Sequence, residues 1–96
     1  MKRAIVLHSN DTVATLIESA RAGETCVLEG ERAGEIRLQQ DVPFGHKVCV
    51  IAAAVGAEVL KYGQVIGCAS LALGVGEHVH VHNLQSARGR GDLVKG

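Results

Sequence analysis

Six residues, His78-Val79-His80-Val81-His82-Asn83, place three imidazoles at alternate positions. Strand side chains alternate faces, so as a strand this segment turns His78, His80 and His82 to one side and Val79 and Val81 to the other. The valines can then be anchored in apolar packing while the imidazoles meet a metal, a substrate or a partner. Same-face neighbours on a strand sit roughly 6.6–6.8 Å apart at Cα, so imidazoles at i and i+2 can converge on one divalent ion with bonds of roughly 2.0–2.2 Å. His78 and His82 would lie about 13 Å apart on a straight strand. At most two protein ligands are therefore expected here, with the other positions open to water, substrate or another chain. Such an open sphere suits Lewis-acid chemistry better than a structural metal. The same histidines also fit the solvated face of an amphipathic strand, or a pH-responsive interface. Asn83 breaks the alternation and is expected to end the strand, with its side chain turned to backbone or ligand.

Two further groups carry polar chemistry. In Lys61-Tyr62-Gly63 a lysine can bind a carboxylate, a tyrosine can donate a proton or hydrogen bond, and a glycine lets backbone approach closely. The tripeptide is equally an ordinary hairpin turn. His46-Lys47 follows Pro43-Phe44-Gly45, again a turn that exposes cationic groups. Cys49 falls four residues after Gly45 and His80 four after Gly76, so a Cys49/His80 metal pair is conceivable, with burial of Cys49 the plainer expectation. The carboxylates are scattered, without a paired acid/base signature. Phosphate-cradling glycine loops and the Gly-x-Ser-x-Gly elbow are missing from the sequence.

The elements that must position these groups are short. Residues 3–7 read as a first strand. Ser9-Asn10-Asp11-Thr12 offers N-cap chemistry, and Val13, Leu16, Ile17 and Ala20 recur at helical spacing, which predicts a helix over about 11–22 closed by Gly23. Further strands are expected at 25–28, 34–39, 46–52, 57–60, 64–69 and 78–83, broken by glycine. Gly45-His46-Lys47-Val48, Gly56-Ala57-Glu58-Val59 and Gly76-Glu77-His78-Val79 all read Gly-x-x-Val, each a tight turn feeding a strand with its valine packed inward. The fold class expected is mostly β with one short helix (α+β).

A chain of 96 residues is one domain with a modest core, built from aliphatic residues because Phe44 and Tyr62 are its only aromatics. Stabilisation by a partner or a second copy is expected. Ten basic residues balance ten acidic ones, which argues against a nucleic-acid binder. The apolar run after Lys2-Arg3 is too short for a signal peptide, and no run approaches a membrane span. Cys26, Cys49 and Cys68 form no Cys-x-x-Cys pair, so reduced thiols and a cytoplasmic location are expected.

Taken in order, Pro43-Phe44-Gly45-His46-Lys47-Val48, Lys61-Tyr62-Gly63-Gln64-Val65-Ile66-Gly67 and Gly76-Glu77-His78-Val79-His80-Val81-His82-Asn83 form a recognisable series. It resembles the small SAF-type (antifreeze-like) domain of the altronate/galactarate dehydratase family over about residues 3–85, and Asp11-x-Val13 matches as well. The resemblance implies a SAF-type β-clip fold of short looped hairpins over residues 1–85, with 86–96 as a flexible tail. It implies the small subunit of a sugar-acid dehydratase, a hydro-lyase inactive alone, whose site a large subunit completes around a sugar-acid substrate. By the same resemblance His80, His82 and Tyr62 take catalytic roles, and Lys61, Lys47, His46, Asn83 and Gly63 bind substrate. A divalent metal, ferrous or manganous, is expected on His80 and His82. His78 falls at a position the resemblance leaves unfixed and is less favoured. The alternatives are the small subunit of a sulfolactate sulfo-lyase-type C–S lyase, a non-catalytic carbohydrate-acid binding module, and a purely structural interaction protein. A homo-oligomer also remains open.

Overall fold

In the computed structural model, which describes residues 1–86, nine short strands and no helix are found among the described residues. They are β1 (Lys2–Val6), β2 (Val13–Leu16), β3 (Thr25–Gly30), β4 (Gly34–Arg37), β5 (Lys47–Cys49), β6 (Glu58–Lys61), β7 (Gln64–Ala69), β8 (His78–Val79) and β9 (Leu84–Ser86). Six of them form one sheet in the order β4-β3-β1-β2-β5-β8, and three form a second in the order β6-β7-β9. Only the β1–β3 pair is parallel. The mostly β architecture accords with a β-clip. The flexible tail expected at 86–96 falls, from residue 87 onward, outside the described residues.

The expected helix at 11–22 is a correction. Residues 13–16 are β2, paired with β1 through Ala4↔Leu16 and with β5 through Val13↔Cys49 and Ala14↔Val48. The spacing of Val13, Leu16, Ile17 and Ala20 suits a helix, yet Ile17 is exposed whereas Ala14, off that helical face, is buried. Thr12, Val13 and Thr15 are β-branched, which weakens a helix and suits a strand with partners on both sides. Non-local ladder bonds outweighed the local period.

β2 and β5 form the wall between two cores. Successive side chains face opposite ways, so Ala14, Leu16 and Val48 join a first cluster with Ala4, Val6, Cys26 and Leu28. Val13 and Cys49 join a second with Val59, Ala69, Leu73 and Val79. Burial on both faces explains why Val48-Cys49-Val50 is an unbroken apolar run.

One unit recurs four times: a bridge residue, a four-residue turn, then a strand. The turns are Arg21–Glu24, Pro43–His46, Ala54–Ala57 and Gly74–Glu77, each closed by the N–H of the last residue on the carbonyl of the first. Their third residues, Gly23, Gly45, Gly56 and Gly76, have φ of 88°, 82°, 87° and 91°, the left-handed value a type II turn requires there. Three residues past their glycines, Val48, Val59 and Val79 are fully buried, as the Gly-x-x-Val echo predicts, and Cys26 fills the same place in the fourth copy. Each such valine contributes about 1.5–3 kcal/mol by burial. The bridges clasp the copies in pairs, Ala20 with Val42 and Ala53 with Leu73. Gly23 is thus a turn glycine and not a helix cap.

Candidate functional site

Each clasped pair has a first arm (20–26 or 53–59) and a second arm (42–48 or 73–79), and the two clasps meet through their second arms. β5 and β8 pair antiparallel with Lys47↔Val79 and Val48↔His78. Continuing that register by one position sets His46, just before β5, opposite His80, just after β8. Their rings stack at 4.3 Å between centroids and 22° between planes. His78 joins them: its Nε2 lies 2.9 Å from His46 Nδ1, a hydrogen bond in which one ring nitrogen donates and the other accepts. One ring nitrogen from each of His46, His78 and His80 lies within 4.8 Å of the others, and all three side chains are half-buried. That is a donor set able to hold a metal ion.

The strand expected over 78–83 stops at Val79. The chain turns at 80–83, with the Asn83 and Leu84 N–H groups both donating to the His80 carbonyl at 3.1 and 2.9 Å. Val79 is buried as expected, but Val81 is 82% exposed. Asn83 causes the turn. Its side chain is buried, Oδ1 accepting from the His80 N–H at 2.9 Å and Nδ2 donating to the His78 carbonyl at 2.8 Å. The Gln40 Oε1 accepts the His78 N–H at 2.8 Å. The bend leaves the His82 ring 5.4 Å from that of His78, tilted by 45°, exposed and outside the three-nitrogen group.

The groups that lower His78 and His80 are all ones that carry positive charge when protonated. Burial, then His46, His82, His80 and Lys47, hold His78 below the ordinary imidazole value. His80 is lowered by loss of solvent and by His46, Lys47 and His82. Lys47 is in turn lowered by burial and by Lys61. The lowering favours the neutral imidazole, with a lone pair to offer, beside the Lys47 ammonium. An anion or a metal–anion pair would relieve that repulsion.

Lys61 leads into the hairpin joining β6 and β7, whose two-residue tip is Tyr62-Gly63. Tyr62 is 69% exposed. Gly63 has a φ of 72°, which favours glycine, and a Cβ there would stand 2.9 Å from the exposed His8 ring. Of the residues expected from sequence, the structure thus brings together His46, Lys47 and His80, with His78 beside them and Lys61 acting on Lys47. His82 flanks the group, and Tyr62 and Gly63 follow Lys61 at the hairpin tip. Asn83 faces the backbone and shapes the histidine loop. Cys49 lies in the second core, its thiol donating to the Ile51 carbonyl at 3.1 Å. Sequence reasoning passed over Gln40 and the clasping role of Asp11. The Gly-x-x-Val echo was the signal that could have aligned the His46 arm with the His78 arm.

A small all-β clasped domain that gathers imidazoles and ammonium groups at one corner defines the class. Residues 2–87 match the family model for the altronate/galactarate dehydratase SAF domain, and the chain belongs to that family. It is 33% identical over 86 residues to altronate dehydratase of Bacillus subtilis (strain 168) and 35% identical over 82 residues to that of Escherichia coli (strain K12). These alignments cover 90% and 85% of this chain but only 17% and 16% of the relatives. It is also 31% identical over 88 residues to (2R)-sulfolactate sulfo-lyase subunit alpha of Chromohalobacter salexigens, covering 88% of this chain and 94% of that subunit. Among the described residues no helix is long and apolar enough to cross a membrane.

Proposed function

We propose that this chain is the SAF-type part of a cytoplasmic hydroxy-acid lyase, a sugar-acid dehydratase of the altronate/galactarate kind. A larger polypeptide would complete its site. The observation that carries this is the meeting of His46, His78 and His80 beside Lys47, on which Lys61 acts in turn, in a domain whose family is that of the dehydratases. The chain spans about a sixth of the two dehydratases it matches, which is the support for a larger partner.

Dehydration of a sugar acid removes the proton beside the carboxylate and expels the β-hydroxyl as water. Lys47 and Lys61 would hold the carboxylate, since two neighbouring ammonium groups favour an anion between them. His80 would serve as a holder of the divalent ion, while His82 at the open edge and the Tyr62 hydroxyl would face the substrate. Asn83 keeps the His80–His82 turn in shape. The donor chemistry of the corner fits a divalent ion, with His46, His78 and His80 as its holders and iron(II) or manganese(II) as the ion proposed. When bound, that ion would supply Lewis-acid stabilisation of charge on the substrate. Among the described residues no buried carboxylate lies at this corner, so the partner is expected to bring one.

A second reading is favoured by one observation: the alignment covers 94% of a sulfo-lyase alpha subunit. The chemistry is parallel, with sulfite leaving in place of water. Co-purification with the larger polypeptide, then assay on altronate, galactarate and (2R)-sulfolactate, separates the readings by the product released. In the active complex H80A is expected to lower turnover at least about a hundredfold and to reduce metal content. Turnover and metal content at wild-type levels would overturn the assignment.

A further inference from the structure

Asp11 is the one buried carboxylate among the described residues. Its oxygens meet only backbone donors. Oδ2 accepts the His8 N–H at 3.0 Å and the Tyr62 N–H at 2.8 Å, and Oδ1 accepts the Gly63 N–H at 2.8 Å. Its main chain is held as well, by its own N–H on the His8 carbonyl at 3.0 Å and by Arg32 Nη1 on its carbonyl at 2.9 Å. Thr12 and Leu60 extend the junction through two bonds of 3.1 and 3.0 Å. Burying a carboxylate is costly unless such charge-assisted bonds surround it. Here two of its three N–H partners belong to the tip of the β6–β7 hairpin.

That tip is unusual. Tyr62 and Gly63 have φ of 57° and 72°, the type I′ arrangement, and Tyr62 is the single non-glycine residue with positive φ among the described residues. The first place of such a turn favours Asn, Asp or Gly, so a tyrosine there is strained. Packing does not compensate, because the side chain is 69% exposed. A strained, exposed phenol stands directly after Lys61, whose ammonium acts on Lys47, itself one residue after His46.

We propose that Asp11 is a positioning residue for Tyr62: its carboxylate, by holding the Tyr62 and Gly63 amides, fixes the phenol beside Lys61 to face an anionic hydroxy acid. The inference rests on the functional reading above for its ligand. The clamp itself rests on the geometry alone.

Tyr62 is the chain's single tyrosine and there is no tryptophan, so intrinsic emission reports this side chain alone. In the full chain, D11N is expected to lower the fluorescence anisotropy of Tyr62 while the fold persists. In the complex with the larger polypeptide, D11N and Y62F are each expected to lower kcat by between about tenfold and a hundredfold. The double variant should be no slower than the slower single one, because Asp11 acts through the phenol. Y62N, which suits the turn, should raise Tm by a few degrees while turnover falls as in Y62F. Should the donor introduced by D11N unfold the chain, D11S keeps an acceptor and serves in the same cycle. An unchanged anisotropy in a folded Asp11 variant overturns the clamp, as does an equal loss from D11N in the wild-type and Y62F backgrounds. If the wild-type complex turns over none of the three acids, the functional reading falls, and the anisotropy still decides on the clamp.

Discussion

The first and second arms of the two clasps share one backbone and differ in chemistry. Residues 20–26 and 53–59 form the first arms, 42–48 and 73–79 the second, and each arm has the bridge, the type II turn and the buried residue three past its glycine. Beyond the glycine the first arms carry Glu24-Thr25 and Ala57-Glu58, whereas the second carry His46-Lys47 and Glu77-His78. The first arms pair with other strands, β3 with β1 and β4, and β6 with β7. The second arms pair with each other, β5 with β8. The residues after the turn glycine gather ring nitrogens within reach of one another only where two copies lie side by side.

The largest effect that could break this comparison is in the turns themselves. In Gly56→Ala a side chain would meet nothing within 4 Å, so only the left-handed φ is penalised, by about 1–2 kcal/mol. In Gly76→Ala the same strain is joined by collision with the Arg37 carbonyl, which brings the loss to about 3 kcal/mol or more. Urea unfolding of the two variants measures the difference; equal losses would mean that the second arm is no more tightly seated than the first. Next in size is Asn83→Ala, which leaves the His78 carbonyl and the His80 N–H without their partner. A loss of about 1–3 kcal/mol is expected, together with weaker metal retention. Wild-type stability and metal retention in N83A would show that the histidine loop holds its shape unaided.

How much of this was legible depends on how far apart the partners lie. The strand at 64–69 and the three Gly-x-x-Val turns could be read because their signals are local. The fourth turn was hidden because Cys26 replaces the valine and the spacing of Val13, Leu16, Ile17 and Ala20 mimics a helix ending at Gly23. Nothing local reveals that Ala4 and Val48 flank that segment as neighbouring strands. In the site, His78 and His80 could be read from one hexapeptide. His46 reaches His78 across 32 residues and Asp11 reaches Gly63 across 52, and such closures are decided by the fold as a whole. The bend that exposes Val81 follows from the Asn83 side chain turning to backbone, one of the two outcomes its place in the sequence allowed.

The smallest effect concerns thiols on the two kinds of arm. Cys26 ends a first arm and Cys49 follows a second, and burial raises both. Cys49 is pushed up to about 11 from an ordinary 9.0, by burial first and the Glu77 carboxylate as well. A raised folded value favours the neutral thiol, so its contribution to stability is whole below pH 9.0 and is lost as the pH rises through about 11. Unfolding curves from pH 8 to 11 should show this fall in the wild type and less of it in C49A. An identical alkaline slope in both would contradict the assignment.

The central claim is that two second arms, joined through β5 and β8, build one divalent-ion site from His46, His78 and His80. Equilibrium dialysis against Mn2+ tests it most directly, with the wild type, H46A, H78A, H80A and H82A compared in the full chain, alone and with the larger polypeptide proposed above. The account predicts that the wild type and H82A retain the ion at this corner and that the other three variants lose it. Retention by H46A and H78A, with loss in H82A, would contradict the account and return the ion to His80 and His82.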